Sequence, residues 1–358
     1  MVGRSSIFSL LVTGVGAPGT AGTLYALRKN PDGRAVRVIG VDMETEVAGR
    51  FLVDEFFQVP APEDPNYINE LLRICREKSV TIVLPQTTRE IARLSKCKNL
   101  LERERVRVMV SGSSAIELAN NKWALVEKFK ELGLPHPEAC LAHSEDELLS
   151  LVREFGYPAR PVVVKPPVSN GMRGVRILRS EPWDVCRFLA EKPTGVEIPF
   201  EELLRILRRG PDWPKLVVME YLPGPEYTVD AFIGKKLSMA LPRLRERIRS
   251  GITFRSRSES REDISNYTLQ AARNIGLSYV FGFQFKLDEQ GIPKVLESNP
   301  RIQGTMVASV FSGANLIWYG VKELLGEPVE QNGQRCHSAR FYRFWGGLGV
   351  AEEFLDEI

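Results

Sequence analysis

Apolar residues in the first third of the chain fall in short unbroken runs separated by stretches with helical spacing. Ile7–Val12, Val36–Val41, Val80–Leu84 and Val106–Val110 are the runs, and Gly19–Leu27 and Tyr67–Glu77 read as helices between them. A strand buried on both faces is apolar throughout, so the pattern predicts a parallel sheet with helices on both sides. The texture changes after Ser111. Ala115–Leu132 reads as one helix that ends at Gly133, with Pro135 and Pro137 beyond it. Strands are predicted at Pro161–Lys165, Leu216–Glu220, Tyr227–Ile233, Leu237–Leu241, Val280–Leu287 and Val295–Glu297. Helices are predicted at Glu145–Phe155, Pro199–Arg209 and Ser260–Gly276. Strands at turn spacing pair antiparallel. The expected fold class is therefore an α/β Rossmann-like domain followed by α+β material.

Composition narrows the classes. The chain has 358 residues, of which 26% are charged and 43% hydrophobic, as in ordinary globular domains. Lys and Arg number 48 against 45 Asp and Glu, a balance that gives no electrostatic footprint for nucleic acid. No window approaches the roughly 18 apolar residues of a membrane span. The five cysteines, Cys75, Cys97, Cys140, Cys186 and Cys336, form no Cys-x-x-Cys pair, which argues against a disulfide framework or a structural zinc site. The apolar start runs straight into a glycine turn, so it reads as a first strand rather than a leader, and the expected location is the cytoplasm.

Gly14-Val15-Gly16-Ala17-Pro18-Gly19 follows a predicted strand and opens a helix, and Asp42 closes the next strand. That is the setting of a dinucleotide fingerprint, with Asp42 on a ribose. An ordinary glycine turn fits equally well, and the later residues favour that plainer reading because they compose a different nucleotide site.

Lys122 opens a helix after Asn120-Asn121, and Lys165 ends the apolar run Val162–Val164. A small-residue loop with Ser169, Asn170, Gly171 and Gly174 follows, and Gln284, Glu297, Asn299 and Arg301 come late in the chain. A triphosphate needs cations and backbone N–H groups around it, and magnesium needs oxygen ligands. Glu297 and Asn299 stand two apart on a strand and so share a face. Gln284 can join them if its strand pairs with theirs. Leu216–Glu220 followed by Tyr221, Leu222, Pro223 and Gly224 suits an adenine base, with Glu226 next for the ribose hydroxyls. Arg243, Arg245, Arg247 and Arg249 follow the predicted strand Leu237–Leu241. Arg243 is the candidate for a substrate carboxylate or phosphate, while a solvated basic surface explains most of the run. Gly16 and Asp42 are further substrate candidates. His136, His143 and His337 have no metal spacing.

Together these residues resemble the ATP-grasp superfamily, in particular the carbamoyl-phosphate synthase large-chain type and single-module carboxylate–amine ligases. The resemblance rests on Asp54–Pro60, Asn121-Lys122, Val163–Pro166 with the loop after it, Met219–Gly224, Glu226–Asp230, Phe281–Phe285 and Leu296–Arg301. It implies a pre-ATP-grasp Rossmann-like domain at 1–111, an ATP-grasp subdomain A at 112–221 and a subdomain B with a C-terminal tail at 222–358. It also implies roles. Lys122, Lys165, Ser169, Gly171 and Gly174 hold phosphates; Glu220, Tyr221 and Leu222 hold adenine; Glu226 holds ribose. Gln284, Glu297 and Asn299 bind Mg2+, or Mn2+ in its place, and Arg301 with Lys165 assists the chemistry. Gln284 is acidic in many ATP-grasp ligases but glutamine in the synthase type. Lys122 stands where the synthase type has arginine.

The implied activity is an ATP-dependent, ADP-forming ligase that activates a carboxylate as an acyl phosphate and joins it to an amine. The partners are small molecules, and a homodimer is one open assembly. A bicarbonate-using carbamoyl-phosphate-synthase-like module is the nearer alternative. An NAD-dependent oxidoreductase and a non-catalytic nucleotide-binding subunit are the alternatives of another class.

Overall fold

A computed structural model describes residues 8–169, 171–181, 184–190, 195–330, 337–344, 346–351 and 354–357. The chain divides into two compact units. The first comprises 1–117, 227–283 and 299–358, and the second 118–226 and 284–298.

The first unit contains the expected parallel sheet. Its strands are β1 Phe8–Thr13, β2 Val36–Asp42, β3 Glu55–Gln58, β4 Val80–Leu84 and β5 Arg107–Val108, in the order β3-β2-β1-β4-β5. Successive residues alternate between two cores. Leu10, Val12, Val38, Ile82 and Leu84 enter one, while Leu11, Ile39, Val41 and Val83 enter the other. Burial on both sides explains why these strands read as unbroken apolar runs. Helices α1 Thr20–Arg28, α2 Tyr67–Glu77, α3 Thr88–Lys96 and α4 Lys98–Arg103 connect them. Thr87 and Glu90 form a reciprocal capping box at the start of α3, satisfying donors that the helix leaves open.

The expected helix Ala115–Leu132 is two helices, α5 Ser113–Asn120 and α6 Lys122–Glu131. Asn121 interrupts them because its side chain accepts from the N–H groups of Trp123 and Ala124 and so caps α6.

The second unit holds a five-stranded sheet. Its members are β6 Ala139–Ala142, β7 Val162–Lys165, β8 Arg176–Leu178, β9 Glu197–Ile198 and β10 Leu216–Glu220, in the order β6-β10-β7-β8-β9. Strand β10 runs antiparallel to both neighbours, β6 and β7. The amphipathic helix Phe200–Leu207 buries Phe200, Leu203 and Leu204 in the core of this unit.

A third sheet contains β11 Glu226–Ile233, β12 Ser238–Arg249, β13 Ile252–Ser258, β14 Tyr279–Leu287, β15 Pro293–Asn299 and β16 Arg340–Tyr342. Its order is β15-β14-β11-β12-β13-β16. The arginine run does not follow a strand, as the sequence suggested, but continues β12. Arg243 and Arg245 project inward: they are 1% and 9% exposed.

In the first unit Thr228 faces Arg243 across the β11–β12 ladder, and Asp230 faces Leu241. Asp230 and Arg243 are thus diagonal neighbours on one face. The guanidinium holds Asp230 at both oxygens, at 2.7 and 3.1 Å, and also donates to Ser256 and Thr305. Gln303 donates to Asp230 as well. Burial raises the Asp230 carboxyl against the pull of Arg243. Removing one member of such a pair strands the other charge. Arg243→Ala is therefore expected to lose about 3–5 kcal/mol in urea unfolding, and Asp230→Ala combined with Arg243→Met to recover most of it.

Candidate active site

Within the second unit, Lys165 and Lys122 come from separate elements and converge near Glu297. Lys165 ends β7, and its Nζ donates to the Leu296 carbonyl at 3.2 Å. Lys122 opens α6, where a cation opposes the helix dipole, so its placement calls for a compensating partner. Its Nζ lies 3.7 Å from Glu297 Oε2 and donates to the Ser169 carbonyl and hydroxyl. Its backbone N–H donates to the Pro167 carbonyl at 2.7 Å, fastening the helix start to the loop after β7.

These ammonium groups are 5% and 4% exposed at Lys122 and Lys165. Desolvation penalises the charged form, and it dominates at both. Burial lowers Lys122 despite the opposing pull of Glu297. Burial, with Lys122 nearby, lowers Lys165 from 10.5 to about 8 although Glu297 pulls the other way. A poly-anion placed there would be met by buried cations in a medium that screens them weakly.

In the loop, Gly171 and Gly174 have φ of +58° and +76°, conformations that glycine supplies cheaply. Asn170 of this loop lies outside the described residues. At the hinge, Glu220 already has partners: its Oε1 accepts from the Glu138 N–H and from Lys294, both at 2.8 Å. Lys294 also approaches Asp288 at 3.5 Å. Sequence reasoning missed Lys294; its alternation with Leu296 along β15 was the available signal. Tyr221 has two cations near its ring, Arg179 and Lys286 at 5.2 and 5.1 Å from its centre. Leu222 is buried, and Glu226 starts β11.

Gln284 lies on β14 and Glu297 on β15, strands that neighbour each other in the sheet order, as the metal reading required. Both side chains offer oxygen, and Asn299, at the end of β15, offers another. Oxygen-only donors suit magnesium or manganese rather than zinc. Among the described residues, no group of three or more His, Cys, Asp and Glu could hold a metal by itself.

In the first unit, Arg301 donates to Asn299 Oδ1 and to Thr88 Oγ1, each at 3.2 Å, and to the Ile302 carbonyl. Gly282, two residues before Gln284, has the Gln303 side chain where a Cβ would stand. The Gly16 N–H donates to Asp42 Oδ2 at 2.7 Å, and Asp42 Oδ1 accepts from Glu44. The glycine turn thus already holds an anion, the protein's own carboxylate. Arg243 lies in the buried Asp230 network described above.

Two family models match parts of the chain. One, described as ATP-grasp in the biosynthetic pathway with Ter operon, matches residues 212–343. The other, the PylC-like N-terminal domain, matches residues 10–109. The carbamoyl phosphate synthase large chain of Thermus thermophilus is 27% identical over 217 residues, 58% of this chain and 19% of the synthase. The chain therefore spans about a fifth of that curated relative's length. The Staphylococcus aureus N5-carboxyaminoimidazole synthetase, solved with ADP, superposes with a TM-score of 0.70 at 14% identity, covering 95% of this chain and 83% of that one. The biotin carboxylase domain of Hydrogenobacter thermophilus 2-oxoglutarate carboxylase, described as a dimer with MgADP, ADP and bicarbonate, gives 0.66 at 19% identity, covering 90% and 70%.

The fold is that of these two solved structures, and residues 212–343 match an ATP-grasp model. The resemblance read from the sequence is borne out, both for the ATP-grasp part and for the Rossmann-like domain before it. No helix among the described residues is long and apolar enough to cross a membrane.

The lowered Lys165 makes stability depend on pH. Between about 8 and 10.5 the unfolded chain binds the proton more tightly than the folded one, so stability rises with pH through that window. Relative to Lys165→Met, wild type is expected to gain roughly 3 kcal/mol across it, measured by urea unfolding at stepped pH. Parallel profiles for the two proteins would show that Lys165 is not desolvated.

Proposed function

We propose that the chain is an ADP-forming ligase that couples ATP cleavage to joining a carboxylate and an amine. The observation that carries this reading is the pair of buried ammonium groups, Lys122 and Lys165, gathered at Glu297. Two costly cations beside a carboxylate of oxygen-ligand type suit a metal–polyphosphate ligand better than an empty protein core. The ADP in the Staphylococcus synthetase and the magnesium and bicarbonate in the Hydrogenobacter domain support it by analogy of fold.

The residue roles are ours. Lys122, Lys165 and the loop bearing Ser169, Gly171 and Gly174 hold phosphates. Tyr221 and Leu222 offer main-chain groups to adenine. Glu220 helps shape that hinge through Lys294 and Glu138, and Glu226 takes ribose. Gln284, Glu297 and Asn299 would hold magnesium, whose chemistry when bound is to neutralise phosphate charge and align the transferring group.

The substrate carboxylate oxygen attacks the γ-phosphorus, and the bond to ADP breaks. The amine nitrogen then attacks the acyl carbon, losing a proton as phosphate leaves. Arg301 stabilises charge on the acyl phosphate, and its bonds to Asn299, Thr88 and Ile302 hold the guanidinium in one orientation. Closure of the glycine loop keeps water from the acyl phosphate. Bicarbonate in place of the carboxylate is a second reading, favoured by the bicarbonate in the Hydrogenobacter domain and by Gln284. We further propose a cytoplasmic protein acting on small molecules, with a homodimer as its assembly.

ADP release in the presence of pooled carboxylates, bicarbonate and pooled amines tests this. Amine-dependent ADP formation is expected, with Arg301→Ala slowing turnover by about 10²–10³-fold, the cost of one preorganised donor. Glu297→Gln should raise the magnesium concentration needed. Folded protein that releases no ADP with any pool contradicts the ligase assignment.

A further inference from the structure

The parallel sheet of the first unit reverses its strand order between β1 and β4. In open α/β sheets, ligands bind beyond the carboxyl ends of the strands at such a point. A cavity of about 130 Å³ lies there. Segments following four strands line it: Gly14 after β1, Asp42 closing β2, Val59 and Pro60 after β3, and Glu90 beyond β4. That volume is roughly ten times what a single water needs.

An anion does not suit the cavity. The Gly16 N–H is taken by Asp42. Arg89, on the cavity wall, is held by both oxygens of Glu63. The start of α1 is covered, since a Cβ on Gly19 would stand 2.7 Å from Gly304.

The oxygen atoms point to the opposite charge. Glu90 is 6% exposed, and its Oε2 accepts from Thr13 Oγ1 and the Thr87 N–H. The Thr87 side chain also acts on this carboxylate. Tyr67, from α2, lines the same cavity and is wholly buried, and its hydroxyl has no partner among the described residues. Such an orphaned buried hydroxyl is costly. Burial, then Glu90 and Asp42, push the Tyr67 ionisation well up against the smaller opposing effect of the Thr13 side chain, so it stays a neutral hydroxyl with lone pairs to offer. Burial also raises the Glu90 carboxyl to about 7, a cost that a neighbouring cation relieves.

From this lining we infer that the switch-point cavity binds the primary ammonium group of a substrate carried on a short aliphatic stem. The three N–H donors of an ammonium match three oxygen groups, those of Asp42, Glu90 and Tyr67. Val59 and Pro60 provide an apolar wall for methylenes. The inference rests on the ligase reading and deepens it: one substrate bears an amine that is recognised here without reacting.

The test titrates the nucleotide-free full chain with n-butylamine and follows the backbone amide signals of Gly14, Thr87 and Glu90. Saturable shifts are expected, absent with butyrate and much weaker with n-butanol and butyltrimethylammonium, which lack charge and N–H donors respectively. Asp42→Asn and Glu90→Gln should each weaken n-butylamine binding about tenfold, the worth of a charge-assisted hydrogen bond. The head-group series on wild type decides the matter even if a variant fails to fold. Equal shifts with n-butanol, preference for butyrate, phosphate or NAD, or no shift with n-butylamine would each overturn the inference. Because no nucleotide is present, loss of this binding with ADP release intact removes only the amine site. Binding without ADP release removes only the ligase reading.

Discussion

Two ammonium groups almost shut off from water are the constraint on which the second unit's chemistry depends. A buried lysine is expensive unless something negative meets it. Glu297 meets Lys122 at 3.7 Å and acts on Lys165 as well, yet burial still wins at both lysines. The carboxylate falls short of compensating the pair, so the arrangement is poised for more negative charge. Everything nearby serves to hold that poise: the Asn121 cap that starts α6 at Lys122, the Pro167 carbonyl that pins the helix to the loop, and β7 delivering Lys165 beside the β15 backbone.

Much of this was legible because burial writes itself into sequence. The strands of the first sheet are apolar on both faces, so their runs were unbroken, and β4, β10 and α2 fall where the pattern placed them. Lys165 at the end of such a run was conspicuous for the same reason. What escaped notice was chemistry dependent on partners distant in sequence. Asn121 looked like part of one helix until its side chain was seen to cap the next. Arg243 looked like a member of a basic run because nothing local reveals Asp230 diagonal to it on β11. Glu220 looked free for a ligand, and only the fold brings Lys294 to it.

The glycine turn shows how one motif supports opposite readings. Gly-x-Gly-x-x-Gly after a strand invites a dinucleotide, and the strand–turn–helix context is present. The Gly16 N–H is nonetheless satisfied by Asp42, the residue that would otherwise meet a ribose. The motif is used for close packing: a Cβ on Gly16 would stand 2.8 Å from Val47 and 3.0 Å from Asp42. Position in the sheet and the charge of the lining carry more information than the spacing of the glycines.

The most direct measurement is a calorimetric titration of a non-hydrolysable ATP analogue into the protein, with and without magnesium, for wild type and for Lys122→Met combined with Lys165→Met. Magnesium-dependent binding that collapses when both ammonium groups are removed is the predicted result. Binding unaffected by the double replacement and indifferent to magnesium would contradict a polyphosphate site at Lys122, Lys165 and Glu297.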